Sequence, residues 1–481
     1  MNDKLFRKKD ITAILKESEK SNNGGLKRNL TAMNLVALGI GAIVGAGIFV
    51  ITGQAAAEYA GPALTISFII SAIGCVLAGL CYSEFAAMIP VSGSVYSYCY
   101  TTMGELMAWF IGWTLILEYL FACSAVASAW SDYMLNLLEG WNIHLPQQLA
   151  QSTFNYVDDA WVFTGSIINF PAVFIVAIIS SLLLGGIKQS AMVNNIMVAI
   201  KVGVILLFIG FGLSYVDVSN WTPYIPENTG EFGHFGWSGI MRGAGIVFFA
   251  YLGFDALSTA AQETRNPQKD MPKGILISLI VCALLYVATT AVLTGIVNYT
   301  DLNVKAPIGV AIDSAGAGLA WLSPLIKLGA IAGLSSVILV MMLGQTRIYY
   351  AISKDGLLPP VIAKVHSVRG VPHNATILAG IVTALITGLF PLQVLNELVS
   401  IGTLLAFTIV CIGVVLLRHT QPNLKRPFKA PWVPFLPLLG AFICIAQMVA
   451  LPIPTWIRLI GWTAVGFIVY FTYGIKHSHL K

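Results

Sequence analysis

Long apolar runs separated by short polar loops dominate the chain. A transmembrane helix needs about 20 mostly apolar residues, and runs of this kind occur twelve times. The pattern therefore predicts an all-α membrane protein with twelve transmembrane helices. The runs lie near residues 34–53, 62–89, 106–137, 168–186, 192–215, 239–262, 274–298, 321–346, 374–390, 394–417, 431–451 and 454–474.

Composition supports the membrane assignment. The 481 residues are 57% hydrophobic and 10% charged, and the mean hydropathy is +0.80. Soluble domains carry about a quarter charged residues, and a soluble protein of this length could not cover so much apolar surface with polar side chains. The seven cysteines are scattered, mostly within the apolar runs. We interpret them as packing residues, because they form neither a disulfide framework nor a zinc-site spacing.

The placement of basic residues predicts the orientation. The net charge of +5 could indicate a nucleic-acid partner, but the lysines and arginines lie in alternate short loops. With the N-terminus inside, most of the 27 basic residues fall on the inner side, and only Lys305 and Arg458 fall outside. Lys201, Arg242 and Lys327 lie within runs. The positive-inside rule then predicts a multi-pass protein of the cell (plasma) membrane with both termini cytoplasmic and no nucleic-acid partner.

The first run is rich in glycine between Gly39 and Phe49, with the sequence GIGAIVGAGIF. Each glycine weakens a helix by about 1 kcal/mol relative to alanine. Small residues spaced by four could let a neighbouring helix approach closely. Alternatively, the helix unwinds here, so that freed amides face an anion and freed carbonyls face a cation. A dinucleotide-binding loop is excluded, because no strand precedes the glycines.

The sixth run carries a second glycine-marked stretch, from Gly243 to Asp255, which is rich in aromatic residues. The two stretches lie five runs apart, and alternation places the sixth run in the opposite direction across the membrane. Paired interruptions at corresponding positions of two halves indicate a binding site between inverted repeats. The second stretch therefore favours unwinding over simple packing in the first.

Seven motifs together resemble the amino-acid/polyamine/organocation (APC) superfamily, and within it the bacterial relatives of cationic amino-acid transporters. The likeness covers the chain after residue 28. The motifs are Gly39–Phe49, Pro90–Ser94, Gly112–Tyr119, Phe248–Ala256, Glu263–Pro267, Gly344–Arg347 and Ser353–Pro359.

The resemblance implies a LeuT-like fold of two inverted five-helix repeats plus two extra helices, with the first and sixth helices unwound at mid-membrane. The expected parts are a cytoplasmic N-terminal tail at 1–30, a first repeat at 31–216, a second repeat at 236–418, helices eleven and twelve at 430–475, and a cytoplasmic C-terminal tail at 476–481.

The resemblance also implies where an amino-acid substrate binds. Its carboxylate is expected at the amides of Gly45, Ala46 and Gly47, at the positive end of a half-helix. Ala46 departs from the family pattern, since relatives often carry a hydroxyl residue there. The substrate ammonium is expected at the backbone carbonyls of Ile43, Phe249, Ala250 and Leu252.

Two ionisable residues lie deep in the predicted membrane. Lys201 is about ten residues into the fifth run, roughly 15 Å into a core of about 30 Å. It is either a structural lysine or, as the resemblance implies, a substitute for a coupling sodium ion that is tied to proton coupling. Glu118 in the third run is either a packing residue or part of the proton path. Glu84 and Asp255 are expected to form gating pairs on the inner side.

These features predict a secondary active amino-acid transporter, or permease, that takes up neutral L-amino acids with protons by alternating access. A cationic or broad-range exchanger is an alternative within the family. A channel is a further alternative, but no pore motif or charge ring is present. The apolar runs contain no metal-ligand spacing or nucleophile–base pair, and the chain lacks a phosphate-binding loop. We therefore expect no enzyme activity, cofactor or metal; the expected partners are the amino acid, protons and lipid.

Overall fold

The computed structural model describes most of the chain. The predicted tails are described only in part, because residues 1–4, 11–27 and 480–481 lie outside the described residues. The described ranges are 5–10, 28–91, 93–139, 141–157, 160–304, 306–449 and 453–479.

Helices account for nearly all regular structure in these ranges. Fourteen of them have eight or more residues: α1 Ala32–Ile43, α2 Leu64–Met88, α3 Val95–Thr102, α4 Glu105–Glu139, α5 Phe170–Gly185, α6 Ile187–Gly212, α7 Gly236–Val247, α8 Pro267–Ile296, α9 Pro307–Ser314, α10 Ser323–Lys354, α11 His373–Leu389, α12 Leu392–Thr420, α13 Phe435–Val449 and α14 Ile453–Val469. Shorter helical segments lie at Gly47–Ile51, Thr52–Ala55, Ala56–Ala60, Gly61–Ala63, Gln147–Leu149, Leu213–Tyr215, Val218–Trp221, Phe248–Tyr251, Ala256–Thr259, Ala261–Glu263, Tyr299–Asp301, Gly316–Gly318, Ala320–Leu322, Tyr470–Gly474 and Ile475–His477.

Eight helical segments among the described residues are long and apolar enough to cross a membrane. One of them, Ala32–Met88, is 57 residues long and contains both the first and the second predicted runs. Three shorter apolar helices, α5, α11 and α13, coincide with further predicted runs. The prediction of a multi-pass helical membrane protein is therefore confirmed.

A small hairpin is a feature that the hydrophobic pattern did not predict. Strands β1 (Phe154–Val157) and β2 (Ala160–Phe163) pair antiparallel between α4 and α5. Phe154 lies opposite Phe163, and Phe154 also packs on Phe390 at the end of α11, with ring centroids 6.1 Å apart. The hairpin thus covers the junction between α11 and α12.

The longest helices form the frame around the centre of the molecule. α4 and α10 pack against each other, α4 also contacts α12, and α8 contacts both α1 and α2. α14 is fixed to α4 by a reciprocal pair of bonds, in which the indole nitrogens of Trp113 and Trp462 each donate to the other's backbone carbonyl at 2.9 Å. α1 and α7 pack against helices of this frame, which position the site described below.

The two acidic residues expected in gating pairs have different partners. Glu84 on α2 accepts from Arg418 on α12, with Nη2 2.6 Å from Oε2. Its other oxygen lies 3.3 Å from Nε of Arg426. Asp255 is buried and accepts from the hydroxyl of Tyr119 and the amide of Gly253. The hydrogen-bond partners of Asp255 among the described residues are therefore neutral groups, whereas Glu84 pairs with two arginines.

Candidate substrate site at two interrupted helices

The first predicted run is interrupted within its glycine-rich stretch. α1 ends at Ile43, and Val44 takes an extended conformation with φ −75° and ψ 102°. Helical bonding resumes where the amides of Ile48 and Phe49 both donate to the carbonyl of Gly45 at 3.2 Å. Among the described residues, the amides of Gly45 and Ala46 have no hydrogen-bond partner. Two donors are thus free at the start of a helical segment, which is the arrangement that favours an anion.

The sixth run is interrupted as well. α7 ends at Val247 and a single tight turn, Phe248–Tyr251, follows. Leu252 is extended with ψ 145°, and Gly253 has φ +112° before helix resumes at Ala256–Thr259. The carbonyl of Phe249 accepts from the amide of Leu252 at 3.2 Å, so this carbonyl keeps one lone pair for another donor.

Glycine is required where the two interruptions meet. A Cβ added to Gly47 would lie 2.5 Å from Cα of Ala250. A Cβ on Gly253 would lie 2.7 Å from Cβ of Ala42, and the positive φ of Gly253 disfavours any other residue. The two backbones therefore approach as closely as they do only because these side chains are absent.

A small cavity lies between the two interruptions. Of the seven residues predicted to bind substrate, Ala250 is the one that does not line it. The lining residues that were predicted are Ile43, Gly45, Ala46, Gly47, Phe249 and Leu252, and those that were not are Ala42, Ala122, Val126, Val337 and Met341.

Tyr286 on α8 contacts the carbonyl of Ala250, the predicted residue that does not line the cavity. Its hydroxyl oxygen lies 2.7 Å from the carbonyl of Ile43 and 2.8 Å from that of Ala250, so it bridges the two interruptions. A hydroxyl has one hydrogen and can donate to only one of these carbonyls at a time. The other carbonyl keeps acceptor capacity for a ligand. No local pattern marks Tyr286, which lies inside an ordinary apolar run.

Lys201 on α6 is fully buried beside the interruption of α1. Its ammonium donates to the carbonyls of Gly41 at 2.9 Å and Val44 at 2.7 Å, and to the hydroxyl of Ser336 at 2.8 Å. A cation is stabilising at the carbonyl end of a helix, and α1 ends here. The structure thus places Lys201 next to the broken first helix, where the resemblance expects a coupling group.

Glu118 does not line the cavity. It is buried on α4, one helical turn before Ala122, which does. Its Oε2 atom has no hydrogen-bond partner among the residues that the structure describes. An unsatisfied buried carboxylate oxygen is costly, and this atom has acceptor capacity to spare.

The chemistry of the cavity follows from its lining. The lining side chains are apolar, and the polar groups that face it are main-chain amides and carbonyls. In the described part of the chain, no cluster of three or more His, Cys, Asp or Glu could hold a metal ion. The arrangement suits a small ligand that carries both an anionic and a cationic group next to an apolar part.

Comparison with known proteins assigns the family. A family model described as amino acid permease matches residues 30–472, which is most of the chain. The chain belongs to the amino acid permease family, within the APC superfamily. It is an amino-acid transporter rather than an enzyme.

Individual relatives of this permease carry transporter names. It is 45% identical over 477 residues to a methylthioribose transporter of Bacillus subtilis, covering 99% of both chains. It is also 45% identical over 482 residues to the branched-chain amino acid permease BcaP of Bacillus subtilis, covering 100% of both. A vacuolar cationic amino acid transporter 4 of Arabidopsis thaliana is 36% identical over 83% of this chain and 64% of its own length.

We expect Gly253→Ala to weaken substrate binding by at least about tenfold. A non-glycine residue at this φ costs about 1–3 kcal/mol, and the added methyl would push Ala42 out of the cavity wall. The measurement is the shift in Tm of the purified permease on addition of an amino acid. Gly245→Ala on α7 is the matched control, because a Cβ there meets no atom within 4 Å. Equal ligand-induced shifts in both variants would contradict the role assigned to Gly253.

Proposed function

We propose that this permease is a secondary active transporter that carries neutral L-amino acids together with protons by alternating access. The observation that supports this best is the apolar cavity between two interrupted helical segments, with free main-chain donors on one side and main-chain acceptors on the other. A zwitterion with an apolar side chain matches these three surfaces.

Main-chain groups bind the part that all amino acids share. The amides of Gly45, Ala46 and Gly47 take the carboxylate at the positive end of the helical segment that begins there. The ammonium is held by the carbonyls of Ile43, Phe249, Ala250 and Leu252. Tyr286 occupies one acceptor at a time and leaves the other to the substrate. Because these contacts are made by the backbone, they recognise the α-amino acid without reading its side chain.

The cavity wall selects the side chain. Ala122, Val126, Val337 and Met341 offer no charged or hydrogen-bonding group other than a thioether. A cationic side chain would lose its hydration there without a partner, which is unfavourable. The 45% identity to a branched-chain permease agrees with this choice. Methylthioribose is a second candidate because of the equal identity to its transporter, but its sugar hydroxyls would find few polar side chains.

The architecture we propose has twelve membrane spans. The segment Ala32–Met88 contributes two of them, and the three shorter apolar helices add to the remaining long ones. The repeats are 31–216 and 236–418, followed by two helices within 430–475. Each repeat opens with an interrupted span, and the two interruptions meet at mid-membrane. The charge distribution supports a plasma-membrane orientation with the tails at 1–30 and 476–481 in the cytoplasm.

Proton coupling is assigned to Lys201 and Glu118. The ammonium of Lys201 holds the carbonyls at the end of α1, where a coupling cation would sit in a sodium-linked relative. Loss of its proton during the cycle would release those carbonyls and loosen the first interruption. Glu118 lies one turn from the cavity and has an acceptor atom to spare.

We expect Lys201→Met to lose pH-gradient-driven accumulation of labelled amino acid in proteoliposomes while the protein still folds. Methionine fills similar space but can neither carry a proton nor donate to Gly41 and Val44. Lys327→Met is the matched control, since Lys327 lies in another membrane segment, and we expect it to keep accumulation. The coupling role is excluded if Lys201→Met accumulates substrate as fully as the parent and with the same pH dependence.

Ala122→Val should narrow the cavity and discriminate against larger substrates. Valine has two more carbons than alanine, and one methylene more or less in an apolar pocket already changes selectivity by about 1–3 kcal/mol, or 10- to 200-fold. We expect kcat/KM for leucine to fall by at least about tenfold relative to alanine. The measurement is competition of one labelled amino acid by the other nineteen and by methylthioribose. Strong competition by lysine or methylthioribose in the parent protein would contradict the proposed substrate class.

A further inference from the structure

The beginning of α1 is tied to the end of the second interrupted segment. The amides of Asn29 and Leu30 both donate to the carbonyl of Glu263 at 2.9 Å. The amide of Arg265 donates back to the carbonyl of Leu30, also at 2.9 Å. Because these main-chain bonds run in both directions, we expect α1 and residues 256–263 to move together, at the end of the site nearest the N-terminal tail. We call α1 together with residues 256–263 the paired segment.

One buried ion pair connects the paired segment to the frame. The side chain of Glu263 meets Arg347 on α10, with Nε at 2.8 Å and Nη2 at 2.6 Å from the same oxygen, Oε1. Both side chains are buried. The third guanidinium nitrogen, Nη1, donates to the hydroxyl of Thr346 at 2.8 Å. Each of the three guanidinium nitrogens thus has a partner, and Arg347 lies on a 32-residue helix.

The carboxylate of Glu263 is engaged on one side only. Its Oε2 atom has no hydrogen-bond partner within the described ranges. A buried pair is favourable only when the remaining lone pairs are also satisfied, so this pair is weaker than a bidentate one would be. Exchange of this pair for water therefore costs less free energy than exchange of a bidentate pair would.

We propose that the Glu263–Arg347 pair is a latch that holds the paired segment closed against α10, and that its release opens the site toward the N-terminal, cytoplasmic side. The inference rests on the proposed alternating-access function, which requires such an opening. The Glu263–Arg347 pair restrains both interrupted helices, because the main-chain bonds at Leu30 connect the first interrupted helix to the second. Neutralising either partner leaves the other charge buried without compensation, so the open, hydrated state becomes favoured.

The test measures opening rather than transport. Ser258 lies in the paired segment, is fully buried, and bonds to the hydroxyl of Ser94 at 2.6 Å. Ser258→Cys is introduced into the full-length protein, and its rate of modification by a soluble maleimide is followed by peptide mass spectrometry. The native cysteines are all buried, and the peptide readout separates them from position 258.

We expect Glu263→Gln and Arg347→Met each to raise the modification rate of Ser258→Cys by at least about tenfold. Glu105→Gln is the matched control: Glu105 is also a buried carboxylate, but it bonds to Tyr100 and Tyr470 and, within the described ranges, not to the paired segment. We expect this control to leave the rate unchanged. Arg347→Lys keeps the charge but not the two-nitrogen contact, so it should give an intermediate modification rate. It replaces Arg347→Met in the test if Arg347→Met does not fold.

The latch is refuted if folded Glu263→Gln and Arg347→Lys are modified at the parent rate. It is equally refuted if Glu105→Gln speeds modification as much, because the effect would then be a general loosening of the protein. These outcomes do not depend on the proposed substrate or coupling. Fast modification in the latch variants together with no saturable amino-acid uptake by the parent would instead overturn the proposed function and leave the latch standing.

Discussion

A helix that stops inside an apolar span leaves main-chain donors and acceptors without partners, and hydrocarbon offers them no water. Each such group costs several kcal/mol unless it is satisfied within the protein. At the end of α1 the carbonyls are satisfied by the ammonium of Lys201, the hydroxyl of Ser336 and the hydroxyl of Tyr286. The amides of Gly45 and Ala46 have no such partner among the described residues. The protein therefore supplies partners for the carbonyls at the end of α1 and leaves the amides that follow for the cavity.

The frame around the breaks makes this arrangement possible. Gly47 and Gly253 let the two interrupted backbones come close enough to enclose a small cavity, and α4 and α10 supply its apolar wall. In the proposed function, recognition of the shared amino-acid groups and selection of the side chain are thus made by different parts of the molecule. Changes in the wall can alter the substrate without disturbing the main-chain contacts. This separation is consistent with one family that includes proteins named for branched-chain, cationic and thiosugar substrates.

The sequence alone was informative where an unusual residue had to break a strong local pattern. Four glycines in a membrane run and their counterpart five runs later weaken a helix, and a lysine at depth is costly in lipid, so each pointed to the candidate site. Tyr286, Ser336 and the Glu263–Arg347 pair gave no such signal. A tyrosine or serine within an apolar helix is common, and the Glu263–Arg347 contact joins residues 84 positions apart. The cavity wall was also missed, because Ala122 and Val337 resemble any other packing residues until the helices are assembled.

Binding of substrate analogues that lack one charged group tests the central claim most directly. The purified permease is titrated with leucine, with leucine methyl ester, which lacks the carboxylate, and with 4-methylpentanoate, which lacks the ammonium. If main-chain groups at the two interruptions hold the zwitterion, leucine binds and each analogue binds at least about 100-fold more weakly, since each leaves buried polar groups unpaired. Comparable affinity for leucine and for either analogue would contradict the account.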